Sequence, residues 1–384
     1  MLVMKTKCSK WIWLLSTFCG ALYACAATQA MADQVTDIAM VPRLTIQGTP
    51  GATDQIQYRT NVNQGDWIVL TNVLVTTSNY WFVDVAAPPA PRRFYRVVIT
   101  NQTPSGMALI PAGSFTMGNS MDPSEGSYDE LPLHPVNVSA FYMDQNLVSS
   151  NLWATVKAWS AANGYSFGLG FAKASIHPVQ TVDWYDAVKW CNARSQKEGL
   201  TPCYFTDAGF TQVYTTGQVT NPSVNWSANG YRLPTEAEWE KAARGGVSGH
   251  RFPWSNVDTI THSQANYYSS ANFVYDISPT RGYHPTFNDG IFPYTSPVGY
   301  FGANGYGLYD MAGNLSEWLW DWYLDTYYSS SPGTDPRGPS TGAARVFRGG
   351  SWNNFADVSR CANRNSGVPT FSGLILGFRC VRGL

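Results

Sequence analysis

Aromatic side chains outnumber charged ones in this chain: 15 Trp, 22 Tyr and 18 Phe stand against 25 Lys and Arg and 26 Asp and Glu. Each ring removes roughly 150–250 Å² from water when buried, so the chain must build a core around large planar groups. Its 34 Gly and 23 Pro break regular structure often, which points to a globular protein rich in turns and ordered loops. A hydrophobic content of 44% argues against disorder, and 384 residues suffice for two or three domains.

Residues 1–32 read as an export signal. Lys5, Lys7 and Lys10 form a basic start without an acid, Trp11 to Ala24 is an apolar run, and Ala30-Met-Ala32 offers a small-x-small cleavage site before Asp33. The run is short for a bilayer span, so no transmembrane segment is expected in the mature chain. Lipid attachment at Cys25 is the less favoured alternative, because Tyr23 is bulky for such a site. Cleavage removes three lysines and no acid, taking the formal charge from −1 to −4. Neither value suits nucleic acid or an anionic membrane surface as a partner. The expected location is secreted or periplasmic. Four cysteines survive cleavage, Cys191, Cys203, Cys361 and Cys380; in an exported chain they suggest disulfides, with three pairings open.

Residues 33–101 carry short β-branched and aromatic runs: Val41 to Gln47, Gln55 to Arg59, Trp67 to Leu70, Tyr80 to Asp84 and Arg93 to Ile99. Turn clusters separate them at the spacing of a small all-β sandwich of fibronectin or immunoglobulin type. Asn101-Gln-Thr-Pro-Ser-Gly106 reads as a linker, and a second domain covers 107–384.

Three helices are predicted there. Ser149 caps the first, with Leu152, Val156 and Trp159 on one face; Asp183 caps the second, with Trp184, Ala187, Val188 and Cys191 facing the core. In the third, Thr235 and Glu238 form a capping box, Trp239, Ala242 and Ala243 face inward, and Gly245-Gly246 ends the helix. Glu236, Glu238 and Glu240 are expected as surface charges that complement the helix dipole. Residues 200–230 and 267–288 read as long loops, the usual place for ligand contacts.

Four blocks carry a resemblance: Tyr231-Arg-Leu-Pro-Thr-Glu-Ala-Glu-Trp-Glu240, Asn304-Gly-Tyr-Gly-Leu-Tyr-Asp-Met-Ala-Gly-Asn-Leu-Ser-Glu-Trp318, Arg345-Val-Phe-Arg-Gly-Gly-Ser-Trp352 and Gly377-Phe-Arg-Cys380. Together they resemble the formylglycine-generating enzyme (sulfatase-modifying factor) family, over residues 107–384. The resemblance implies an α+β fold similar to a C-type lectin, with much irregular loop. It also implies two structural calcium sites. The first set would be Asn266, the carbonyl of Tyr267, Asp289 and the carbonyl of Ile291; the second, Asp310, the carbonyls of Gly313 and Leu315, and Glu317. Such oxygen-only sets suit a hard cation, although the same residues could instead satisfy one another as turns, with Glu317 paired to an arginine. A Cys191–Cys380 disulfide is implied too; the family partner of Cys361 falls at Ala243, so Cys203 and Cys361 either pair or stay free.

The family's oxidase branch binds Cu(I) on two thiolates, which would fall at or near Asn354 and Ser359. An amide and a hydroxyl are poor ligands for that soft ion, so copper is not expected. His134, His177, His250, His262 and His284 contain no His-x-x-x-His pair for an iron centre, and Gly349-Gly-Ser351 is not a nucleophile elbow. The expected function is therefore an exported ligand-binding or accessory protein, taking a protein, peptide or glycan. The alternative is an oxidoreductase with an altered metal centre.

Overall fold

Alternation of buried and exposed residues marks the first strand and the start of the second. The computed structural model describes residues 42–47, 53–60, 66–75, 79–84, 93–101, 103–121, 124–254 and 256–384; the signal lies outside them. The chain divides into two units, Met1–Thr103 and Pro104–Leu384. In the first, β1 (Arg43–Gln47) pairs antiparallel with β4 (Asn79–Val83), while β2 (Thr53–Arg59) lies between β3 (Ile68–Leu74) and β5 (Phe94–Asn101). Leu44 and Ile46 from β1 meet Ile56 from β2, with Phe82 and Val97 packed against them, so both sheets share one core. Two buried carboxylates are tied down by ring hydroxyls: Tyr80 donates to Asp54 and Tyr95 to Asp84.

In the second unit the last strand joins the sheet formed by two early ones. β9 (Phe141–Asp144) sits between β6 (Met107–Ile110) and β16 (Val381–Arg382), all antiparallel, and β7 (Gly113–Met117) forms a hairpin with β8 (His134–Val138). A mixed sheet runs β14 (Asn365–Gly367), β13 (Arg345–Arg348), β12 (Ser316–Trp322), β15 (Leu376–Gly377), with β12 and β15 parallel. A short pair, β10 (Tyr204–Phe205) and β11 (Ser223–Val224), lies in the loop after the second helix.

The helices are α1 (Ser150–Ala161), α2 (Trp184–Lys197) and α3 (Glu236–Ala243), capped by Ser149, Asp183 and Thr235 as the local signals predict. On α1 the buried stripe is Trp153, Val156 and Ser160, whereas Trp159 stays half-buried. The reason is tertiary: Trp153 stacks on Trp190 of α2 with ring centroids 5.7 Å apart, and Phe378 meets both rings edge-on. Between Ala243 and Ser316 no helix or strand forms among the described residues. That long excursion is ordered by two ring clusters, one around Phe252 and Tyr267, the other around Phe287, Tyr294 and Trp352. The unit is thus α+β with few helices and much loop.

Candidate functional site

Strand β13 ends in a turn that only glycine allows. Gly349 and Gly350 have φ of +92° and +70°. A Cβ on Gly350 would lie 2.7 Å from the Ser359 hydroxyl, so the turn is pressed against the 3-10 turn Ala356–Ser359. Ser351 is fully buried and donates its hydroxyl to Asn354 Oδ1 at 2.6 Å, while the Asn354 carbonyl accepts from Tyr268 N at 2.8 Å. The Ser359 hydroxyl is buried without a partner. Asn354 and Ser359, at or near which the family resemblance implies a thiolate pair, are therefore an amide engaged in a local network and an enclosed hydroxyl.

No soft pair assembles from Cys203 and Cys361. Cys203 packs around α2 and donates weakly to the Gly230 carbonyl at 3.4 Å; Cys361 packs in the separate cluster under α3, alongside Ala243. Burial pushes their thiols up to about 11 and about 12 respectively. Cys191 and Cys380 are brought together, as free thiols 3.5 Å apart and wholly buried.

Around the turn runs a strip of partly exposed rings. Phe273 meets Phe355 at 6.0 Å, Phe355 meets Tyr268 at 5.4 Å, Tyr268 meets Tyr283 at 4.7 Å, and Tyr283 meets Phe292 at 6.4 Å. Trp352 lies beneath, 5.7 Å from Tyr283 and 5.6 Å from Phe292. Tyr283 also donates to Asn353 Oδ1 at 3.0 Å, which places an exposed amide within the strip. Phe355 and Phe292 are 43% and 55% exposed. Rings held edge-to-face at the surface offer rigid contact area at low entropic cost. Three of these rings come from the predicted 267–288 loop.

The two oxygen sets lie back to back. A Cβ on Gly313 would come 2.4 Å from the Asn266 carbonyl, and φ there is +77°. In the first set Asn266 is buried with its Oδ1 unpaired, and the Tyr267 carbonyl faces His262 Nε2 at 3.2 Å. Asp289 is exposed, and Lys173 Nζ reaches both its Oδ1 at 2.6 Å and the Ile291 carbonyl at 3.2 Å. An ammonium already engages two of these four oxygens, so the set fits a divalent cation poorly. The Lys173–Asp289 pair is solvent-accessible on the aspartate side, and Lys173→Met should leave thermal melts nearly unchanged. A larger loss would give the ammonium a structural weight that this geometry does not.

The second set is divided. Both oxygens of Glu317 are taken by Arg379, at 2.8 and 2.9 Å, and the same guanidinium reaches the Tyr309 carbonyl. Asp310 accepts from Gly299 N through Oδ2 at 2.8 Å and leaves Oδ1 buried and unpaired. Burial is the main cause that raises its carboxyl to about 6. Asn146 also has a buried, unpaired Oδ1, 2.8 Å from where a Cβ on Gly299 would sit. Two orphaned oxygens beside one glycine fit a cation, with Asp310 and Asn146 as side-chain ligands. Asn146 carries no signal in the sequence. Among the described residues no group of three His, Cys, Asp or Glu could hold a metal by side chains alone.

The expectation for α3 is corrected. Glu236, Glu238 and Glu240 are buried, at 2%, 8% and 0% exposure, not surface charges. Glu236 takes Arg364 at 2.8 and 2.9 Å, Glu238 takes Arg232 at 2.6 Å, and Glu240 takes Arg244 and Arg348. Arg232 precedes the cap and Arg244 ends the helix, but Arg348 and Arg364 come from a distant strand and turn, which the local sequence around Thr235 cannot reveal. All three acids are buried and ion-paired within the fold, so their role is architectural. His262 and His284 are likewise satisfied inside the fold, by Thr280 and by the His262 carbonyl.

A mixed α+β domain with three helices, a ring-rich core and a glycine turn facing an aromatic surface has the build of a C-type lectin-like domain. Residues 96–384 match the sulfatase-modifying factor enzyme 1-like domain, and the chain belongs to that family. It is 34% identical over 292 residues to the formylglycine-generating enzyme of Streptomyces coelicolor, covering 72% of this chain and 88% of the relative. It is also 34% identical over 272 residues to the chaperone protein LppX of Paenibacillus barcinonensis, covering 66% and 81%. Among solved structures, Treponema denticola variable protein 1 superposes with a TM-score of 0.55 at 29% identity, covering 72% of this chain and 95% of that one.

Proposed function

We propose that this protein is an exported, ligand-binding member of the family that does not generate formylglycine through a copper–thiolate pair. One observation carries the reading: the turn at Gly349–Ser351 presents Asn354 and Ser359 beneath a strip of exposed rings, and no thiol. Soft-metal chemistry has no ligand there, while the strip offers a rigid surface for a protein, peptide or glycan. The family's scaffold carries relatives named both as enzymes and as a chaperone, so fold alone does not decide between the two.

The reading includes export through the N-terminal signal, a β-sandwich spacer of five strands, a Cys191–Cys380 disulfide in the oxidised protein and structural calcium at Asp310. Among the described residues no helix is long and apolar enough to cross a membrane. The deciding experiment is oxygen uptake by copper-treated mature protein with a Cys-x-Pro-x-Arg peptide, alongside glycan and peptide arrays. No uptake is expected, together with array binding that Phe355→Ala and Phe292→Ala abolish without lowering the melting temperature. Turnover of the peptide would overturn the reading, as would array binding indifferent to both substitutions.

A further inference from the structure

A second cavity shares no residue with the aromatic strip. Strand β12 places Trp320 and Trp322 on one face by its two-residue period, the 200–230 loop supplies Asn221 and Trp226, and a turn through Arg337 and Ser340 closes it. That turn approaches the strand closely: a Cβ on Gly338, where φ is +75°, would lie 2.7 Å from the Asp321 Cβ. The space is an open cleft of about 290 Å³, near the lower end of small-molecule sites and suited to one or two rings.

Its walls are fixed. Trp322 donates Nε1 to Asn221 Oδ1 at 2.7 Å, Trp320 stacks on Tyr204 at 5.5 Å, and Trp226 stands at 87° to Trp320 with centroids 5.8 Å apart. Two indoles at a right angle make a corner. A flat base could stack on only one wall of it, whereas a chair-shaped sugar ring presents C–H groups on both its face and its edge.

The cavity is also cationic. Arg337 is exposed, lies 4.1 Å from the centroid of Trp226 and has no carboxylate within salt-bridge distance among the described residues. Stacking leaves its N–H edges free in the guanidinium plane, where they match a carboxylate or sulfate. Behind the wall, Arg345 is fully buried against Trp184 and Trp322, 3.7 and 3.5 Å from their centroids. It bonds only to the Trp320 and Thr220 carbonyls and likewise has no acidic partner among the described residues. Nearby acids are committed elsewhere, Glu238 to Arg232 and Asp335 to Ser139. Proline-rich peptide would suit the rings but leave Arg337 unmatched.

We propose that this cavity binds a pyranose bearing an anionic substituent, its ring in the Trp226–Trp320 corner and its carboxylate or sulfate on Arg337. Asn221 and Ser340, both exposed, border the space where ring hydroxyls would lie.

The test is calorimetric titration of the full mature chain with an oligogalacturonide, its neutral galactose counterpart, a sulfated galactan oligomer, a proline-rich peptide and a nucleoside monophosphate. At least one anionic oligosaccharide should bind, roughly tenfold or more tighter than the neutral one, and Arg337→Ala should remove most of that margin. Comparing uronate with sulfate identifies which anion is preferred. Arg337 is exposed, so its loss should leave the fold intact; Trp226→Phe is a second probe that keeps a ring. No saccharide binding at millimolar concentration would overturn the proposal. So would equal affinity for neutral sugar, stronger binding of peptide or nucleotide, or affinity unchanged in both variants.

Discussion

Glu240→Ala lowers the melting temperature of the C-terminal unit by roughly 6–20 °C, from a loss of roughly 3–5 kcal/mol at about 2–4 °C per kcal/mol. Glu240 is wholly buried on α3 and accepts from Arg244 at 2.7 and 3.0 Å, from Gly118 N at 2.9 Å, and from Arg348. Burial alone would raise its carboxyl, but the Arg244 and Arg348 guanidiniums more than offset that and hold it below the ordinary value. Alanine would leave two buried cations facing each other with their main counter-charge gone, and Arg348 would keep only Glu236 at 3.7 Å. Breaking a buried pair is far more damaging than never having built one. Glu198→Ala is the control: it loses a pair with Arg194 that is solvent-accessible on the glutamate side and one hydrogen bond from Tyr231, together about 1–2 kcal/mol. A Glu240→Ala melting curve no lower than the control's would remove the network from the account of stability.

The same network marks where reading the sequence stops. Thr235 and Glu238 could be recognised because a capping box is closed within four residues, and Ser149 and Asp183 for the same reason. The fate of Glu240 and Glu236 depends on Arg348 and Arg364, more than a hundred residues away, which descend from β13 and the following turn. Period-3.6 logic placed Trp159 on the buried face of α1, yet the stacking partner Trp190 selects Trp153 instead. Gly313 could be singled out by its block, and its strained φ and close approach to Asn266 follow that lead. Lys173 and Asn146 could not, because each enters its oxygen set from a distant loop. Asn354 and Ser359 could be singled out because they closely follow the Arg345–Trp352 block, whereas the aromatic strip exists only once Tyr268, Tyr283, Phe292 and Phe355 converge.

Calcium should stabilise this protein at neutral pH and hardly at all in acid. Asp310 titrates near 6 in the folded state, raised from 3.8 chiefly by burial. A folded carboxyl raised above its unfolded value favours the native state only while protonated, so that contribution falls away as pH rises from about 4 to above 6. A divalent cation beside Oδ1 reverses the sign, since it requires the ionised form that burial penalises. Asp183, raised to about 6, and Asp321, also raised, both mainly by burial, move with Asp310 in EDTA. His177, His262 and His284, lowered first by burial, act oppositely: their contribution is present above 6.5 and lost as pH falls. None of these groups belongs to the proposed cation site, so the informative quantity is the difference between melts in millimolar calcium and in EDTA. At pH 7.5 that difference should approach about 2.7 kcal/mol at a hundredfold excess over Kd; at pH 4.5 it should vanish. Asp310→Asn should erase it at both. Glu317→Ala is a poor probe, because it would strand Arg379 in the core whether or not a cation binds. Identical melts with calcium and EDTA at pH 7.5, or an increment that survives Asp310→Asn, would remove the cation and leave Asp310 as a carboxyl held neutral by its surroundings.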